Sequence, residues 1–201
     1  MALTQVDEKC ALVVVDLQKG IVGLPVEGIG DVVSQSVRLV KAFREASQTV
    51  VLVNVAGRAP GRVDAGFNRP LPPDFAELIP ELEQQPSDVL VTKHRVGAFL
   101  GTALDEDLKK RGVTQVFFCG VATGSGVEST ARSAYDLGYN VVFVADAMVD
   151  MNPEIHKNCI ERSFPKLGEV ETVEGVLGMC EARCYAVSQA KQNTGSLHFA
   201  E

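Results

Sequence analysis

Five short apolar runs decide most of what this chain can fold into: Ala11 to Asp16 (ALVVVD), Val50 to Asn54 (VVLVN), Val89 to Lys93 (VLVTK), Gln115 to Gly120 (QVFFCG) and Asn140 to Asp146 (NVVFVAD). They are nearly continuous rather than alternating, the pattern of strands covered on both faces. Segments of helical period lie between them, at Ile29 to Ser47, Thr102 to Arg111, Val127 to Leu137 and Glu154 to Phe164. Strand and helix in such alternation build βαβ units and a parallel sheet. Glu169 to Thr172 is a weaker sixth strand. Gly112 and Gly138 follow two of the helices where a left-handed cap is commonly glycine, and Asn152-Pro153 supplies an N-cap with a first-turn proline. Residues 57 to 86 are rich in Pro, Gly and Arg and have no clear period, so they read as a long excursion around a short helix near Asp74 to Leu78.

At 201 residues the chain fits one domain, over 1–189, with a polar tail over 190–201. Nineteen basic against 26 acidic residues give a net charge of -7 with no basic block, which disfavours nucleic acid as a partner. No apolar run is long enough to cross a bilayer, and Asp7, Glu8 and Lys9 stand where a signal peptide needs an apolar centre. A cytoplasmic protein is expected. The five cysteines, Cys10, Cys119, Cys159, Cys180 and Cys184, are odd in number and scattered, unlike a secreted disulfide framework. Cys180 and Cys184 can share a helix face, but no further Cys or His nearby completes a zinc set.

In an open parallel sheet, ligands bind outside the carboxyl ends of the strands, where the strand order switches. Three runs end in residues that core packing does not explain: Asp16, Lys93, and the turn Gly120-Val-Ala-Thr-Gly-Ser-Gly126. A carboxylate, an ammonium and backbone N–H groups at a helix start would converge there, as an acid, a cationic stabiliser and an oxyanion site. Taken singly, Asp16 and Lys93 are better read as an ion pair or caps at strand ends, but the two together beside a glycine turn favour a site. The turn lacks the Gly-Lys-Ser/Thr of a phosphate-binding loop, and Ser125 does not sit in G-x-S-x-G. Gly124-Ser125-Gly126 opening a helix, with Asp146 about 20 residues further on, approaches a dinucleotide fingerprint, although Ser129 replaces its third glycine. His94, His156 and His198 show no metal spacing, so neither metal nor cofactor is expected; His156 reads as a helix-surface or packing residue. Cys119 reads as a buried, inert thiol.

The chain resembles the isochorismatase-like hydrolases, also called the cysteine hydrolase family. The resemblance is carried by Val15-Asp16-Leu17-Gln18, Lys93, Ala98-Phe99, Gly101-Thr102-Ala103-Leu104, Gly120-Val121-Ala122-Thr123, Val127-Glu128-Ser129-Thr130-Ala131-Arg132, Gly138-Tyr139 and Asp146-Ala147. It implies a three-layer α-β-α, Rossmann-like α/β fold with a parallel six-stranded sheet, assembled as a homo-oligomer, a dimer or larger. It also implies that Asp16 and Lys93 act as catalytic residues and that a non-proline cis peptide at Val121-Ala122 helps aim N–H groups at an oxyanion. Gln18, Phe99, Thr123 and Ser125, within or beside these segments, are assigned to substrate binding. The family's nucleophilic cysteine precedes the V-E-S-T-A-R stretch, and that position here is Gly126. Isochorismatases proper are similar in lacking the cysteine; there an Asp protonates a vinyl ether and water completes hydrolysis. Gly97 stands where many relatives have Ser, and the zinc-binding Asp/His/His set of the nicotinamidases is missing.

The expectation is therefore a hydrolase of a small metabolite, of the vinyl ether or amide class. Asp16 and Lys93 carry acid–base catalysis, the 120–126 turn supplies donors, and Gly126 leaves room for substrate or water. Two alternatives stand beside it: an inactive homologue that binds a small molecule or serves as an assembly subunit, and a dinucleotide-binding protein.

Overall fold

Along the first strand, Ala11, Val13 and Val15 point to one face of the sheet and Leu12 and Val14 to the other, and all five are buried. That double burial explains why the run is apolar without alternation. The computed structural model describes residues 3–64 and 70–179. Cys180, Cys184, His198 and the expected 190–201 tail lie outside the described residues.

The strands are β1 (Cys10–Val15), β2 (Thr49–Val55), β3 (Val89–Lys93), β4 (Gln115–Val121), β5 (Asn140–Val149) and β6 (Glu169–Glu171). They form one sheet in the order β3-β2-β1-β4-β5-β6, with every neighbouring pair parallel. The chain winds outward from β1 to β3 and returns beside β1 with β4, so the order switches between β1 and β4. On one face, α3 (Leu104–Lys110) and α4 (Glu128–Asp136) bury Leu104, Leu108, Ala131 and Ala134. On the other, α2 (Ile29–Glu45), which follows the single-turn α1 (Lys19–Val22), and the helical stretch 173–179 bury Leu39, Val40, Phe43, Val173 and Val176. This is the expected α-β-α sandwich.

Some expectations change. β3 alternates rather than being covered twice: Leu90 is 53% exposed, because β3 is an edge strand that the α2 layer does not reach across. No helix forms over Asp74 to Leu78. A turn closes there through Phe75 N–H to Pro72 O and Glu77 N–H to Asp74 O, and Leu78 then pairs with Gln18 as an isolated antiparallel bridge. The expected helix over 154–164 is α5 (Pro153–Asn158), which widens into a π turn at Cys159–Ser163 and ends in a 3-10 turn at Phe164–Lys166. Asn152 caps it as expected, its side chain accepting from Glu154 N. Between β4 and α4 the chain forms another π turn, Thr123–Val127.

Gly120 sets the spacing at the switch point. Its φ is +111°, and a Cβ there would fall 2.1 Å from the Val15 carbonyl oxygen and 2.8 Å from the Val15 nitrogen. Any side chain would therefore part β4 from β1 at the strand ends that carry the turn and Asp16. Gly120→Ala is expected to lower stability by about 3 kcal/mol or more, read as the shift in urea midpoint. A midpoint within error of wild type would refute this packing.

Candidate active site

Asp16 is the first residue beyond β1 and is held with φ +54°, in the left-handed region. Its N–H donates to Val53 O and its own carbonyl accepts from Gln18 N–H, so both neighbouring segments fix the turn. Lys93 ends β3, two strands away. Its Nζ reaches Asp16 Oδ2 at 2.8 Å and also donates to Val96 O at 2.8 Å. Asp16 is 4% exposed and Lys93 2%. Asp16 Oδ1 is buried and accepts no hydrogen bond from the described residues. Burial raises the Asp16 pKa to about 6, with the nearby ammonium opposing the rise.

The 120–126 turn completes the arrangement, with a cis peptide at Val121-Ala122. Gly126 does not leave the open space expected of it. A Cβ there would lie 3.1 Å from Asp16 Oδ2, 3.1 Å from Val15 Cγ1 and 3.3 Å from Val121 O, so the backbone runs close to the carboxylate. Fewer of the turn's donors are available than expected. Gly124 N–H is bound by Asp150 Oδ2 at 2.8 Å, and the N–H groups of Ser125 and Val127 both go to Ala122 O.

Among the residues assigned to substrate, Thr123 is buried with Oγ1 2.8 Å from His156 Nδ1, while Ser125 is exposed. The Gln18 amide bonds three backbone groups, donating to Val55 O and Phe75 O and accepting from Val55 N–H, so it ties the 57–86 excursion to β2. Phe99 packs in the core at 6.0 Å from the Tyr139 ring.

Sequence reasoning missed the group that clamps the turn. His156 is not simply a surface or packing residue, and Cys159 stands beside the turn as well. Cys159 donates to Glu128 Oε2 at 3.4 Å, and its Sγ stands 3.3 Å from where a Gly124 Cβ would lie. The signal was topological: β5 neighbours β4 in parallel, so residues just beyond β5 must flank the turn just beyond β4. On the opposite side, Ala98 N–H donates to Thr130 Oγ1, which donates to Gly126 O at 2.6 Å. Burial pushes the thiols of Cys119 and Cys159 up to about 12, and Glu128 adds to the rise at Cys159. Both are therefore neutral thiols near neutral pH.

The dinucleotide alternative gives way. The N–H that would face a pyrophosphate is bound by Asp150, and Asp146, inside β5 rather than at its end, accepts from Val173 N–H. Among the described residues no group of three or more His, Cys, Asp or Glu is arranged to hold a metal ion, and no helix is long and apolar enough to cross a membrane.

Comparison with known proteins accords with this geometry. The model of the isochorismatase domain matches residues 10–175. The isochorismatase family protein YwoC of Bacillus subtilis (strain 168) is 41% identical over 180 residues, covering 85% of this chain and 93% of YwoC. The structure of an isochorismatase family protein from Burkholderia thailandensis superposes with a TM-score of 0.83 at 40% identity, covering 88% of this chain and 97% of that one. N-carbamoylsarcosine amidase from Thermoplasma acidophilum superposes at 0.70 with 26% identity, over 82% and 96%. With the isochorismatase domain matched over residues 10–175 and a relative 41% identical along most of its length, the chain belongs to the isochorismatase family of hydrolases.

Proposed function

We propose that the chain hydrolyses a small metabolite of the vinyl ether or amide class, with Asp16 transferring the proton and Lys93 as its electrostatic partner. The observation that carries this reading is the sealed Asp16–Lys93 pair, with the second carboxyl oxygen left unpartnered and the carboxyl poised near pH 6. A group that titrates close to the working pH can both give and take a proton. With a vinyl ether, Asp16 protonates the alkene carbon, water adds to the resulting oxocarbenium carbon while giving a proton back to the Asp16 carboxylate, and the hemiketal collapses, its hydroxyl proton passing to the departing oxygen, to a carbonyl compound and an alcohol. With an amide, the Asp16 carboxylate takes a proton from attacking water and returns it to the leaving nitrogen. The N–H groups of Ala122 and Gly126 are the turn's candidates for an oxyanion beside Val121, and Lys93 favours negative charge at the centre. No step uses a cysteine nucleophile.

The reading includes a cytoplasmic homo-oligomer, a dimer or larger. Exposed Val96 and Leu100 on the loop after β3, Met151 just beyond β5 and Ile155 on α5 support assembly. A second reading is favoured by the tight surroundings of Gly126: a catalytically inactive homologue that binds a small molecule or serves as an assembly subunit. A panel of small amides and vinyl ethers separates the two, since turnover excludes the inactive reading and its absence across the panel refutes the hydrolase.

Three outcomes follow from the roles assigned. Asp16→Asn leaves Lys93 an acceptor but cannot carry the proton, so kcat falls about 10²-fold or more while the circular dichroism spectrum is kept. Near-normal kcat in that variant would refute the assignment. The second outcome concerns stability. Asp16 titrates near 6 folded against about 3.9 unfolded, so its neutral form stabilises the fold below pH 4 and that contribution is lost as pH rises through 6. Denaturation of wild type and Asp16→Asn at pH 4 and pH 7 should therefore show the variant gaining about 2 to 3 kcal/mol relative to wild type at the higher pH. An unchanged difference would place the carboxyl in the ordinary range. Third, wild-type turnover survives iodoacetamide, whereas a thiol introduced by Gly126→Cys, beside Lys93 and at the start of α4, alkylates faster than Cys119 or Cys159. Loss of wild-type turnover on alkylation of one cysteine in the folded protein would reinstate a thiol nucleophile.

A further inference from the structure

Thr123 directly follows Ala122 of the cis peptide and is fully buried. Inside the turn the Ala122 carbonyl accepts from the N–H groups of Ser125 and Val127, which fixes the turn's shape but not its place in the molecule. On the β5 side its place is set by Asp150, which takes Gly124 N–H, and by His156 of α5, whose Nδ1 lies 2.8 Å from Thr123 Oγ1. Among the described residues the Thr123 hydroxyl has no other hydrogen-bond partner. A buried hydroxyl carries one proton, and that proton needs an acceptor. Here the acceptor in reach is His156 Nδ1, so the imidazole is neutral with its proton on Nε2. The cation and the other neutral tautomer both put a proton on Nδ1. The ring then becomes the donor, and the hydroxyl proton is left buried without an acceptor, which is costly. The charges around the ring are few. Desolvation lowers the pKa of His156, opposed by Asp150, which faces it from just beyond β5. The turn packed against α5 has no titratable side chain. On the ring's own helical stretch Glu154 and Arg162 are exposed, Lys157 pairs with Glu161, and Cys159 turns to Glu128 of α4, which is paired with Arg132.

We propose that His156 is a positioning residue: its neutral imidazole, accepting from Thr123, holds the cis-peptide turn where the Ala122 and Gly126 N–H groups stand beside Asp16, and protonation of the ring lets the turn go. The inference rests on the hydrolase reading for the use made of those donors, whereas the hydrogen bond itself does not depend on it. Asp150 still holds Gly124 N–H when the ring is charged, so the turn shifts at Thr123 rather than coming apart.

Nitrogen NMR of the intact protein, labelled in histidine and in the turn amides, tests this without substrate. The His156 ring, assigned by its loss in His156→Asn, should show the Nε2–H tautomer and titrate below the ordinary histidine midpoint of about 6.5. Thr123→Val removes the donor and keeps the shape, so that midpoint should rise by about half a pH unit or more, and Thr123→Ser should bring it back. The Ala122 and Gly124 amides should move with the same midpoint in Asp16→Asn, which lacks the other group titrating near 6. They should stay still when His156→Asn is added, because a side-chain amide can accept from Thr123 but takes up no proton. A proton on Nδ1 in the neutral ring, an unmoved midpoint in Thr123→Val, or turn amides indifferent to the ring overturns the proposal. With a panel compound that is turned over, Thr123→Val should lower kcat about tenfold or more at little change in KM, since oxyanion donors act mainly in the transition state, and Thr123→Ser should recover most of the loss. An undiminished kcat in Thr123→Val also overturns the positioning role. Absence of turnover across the panel counts against the hydrolase reading alone, and the ring and the turn amides then decide the proposal by themselves.

Discussion

Everything at this site depends on two opposite charges that the fold has taken out of water together. Removing a carboxylate and an ammonium from solvent costs several kcal/mol each, and their attraction offsets this only when the geometry is close and the remaining valences are satisfied. Lys93 meets that condition through Asp16 and the Val96 carbonyl. Asp16 meets it by half, since one oxygen is paired and the other is not. The imbalance explains why burial outweighs the neighbouring cation and lifts the carboxyl towards neutrality. It also explains why Lys93 must end β3 and Asp16 follow β1. Only strands held in fixed register, Val55 opposite Lys93 and Val53 opposite Val15, bring a long side chain to a short one across an intervening strand.

The sheet was legible in the sequence because burial on both faces writes itself as unbroken apolar runs, and five of the six strands stand within a few residues of those runs. Leu90 marks where the rule weakens, since an edge strand can keep an apolar residue in the open. Asp16 and Lys93 were legible as well: a charge closing a run such as VLVT has no packing reason to be there. The partners of the turn were not. Asp150, His156 and Cys159 reach it only because β5 lies beside β4, a fact of three-dimensional order that local spacing does not carry. The supposed vacancy at Gly126 failed for a related reason. A missing side chain reads in the sequence as room, whereas in the folded chain Asp16, Val15 and Val121 already stand 3.1 to 3.3 Å from where a Gly126 Cβ would lie.

The turn is consequently held from two sides by different parts of the chain. The segment after β5 grips Thr123 and Gly124, and the loop after β3 reaches Gly126 through Thr130. That second loop also provides the carbonyl that binds Lys93. A displacement of residues 96–98 would thus be felt at the ammonium and at the Gly126 peptide together, which makes this loop the mechanical link between the ionic pair and the turn.

The excursion after β2 is fastened quite differently. Gln18 grips Val55 and Phe75, Asn54 grips Ala76, and Leu78 pairs with Gln18, so both ends of the intervening segment are stitched to the sheet within a few residues of one another. A stretch stitched at both of its ends can behave as an interchangeable cassette. Its length and side chains can be rewritten without moving a strand, because closing a longer loop between fixed ends adds only about 0.6 kcal/mol for each doubling of length. Descendants of this scaffold can therefore acquire new appetites by rewriting one stretch of chain while the sheet that holds the ionic pair stays as it is.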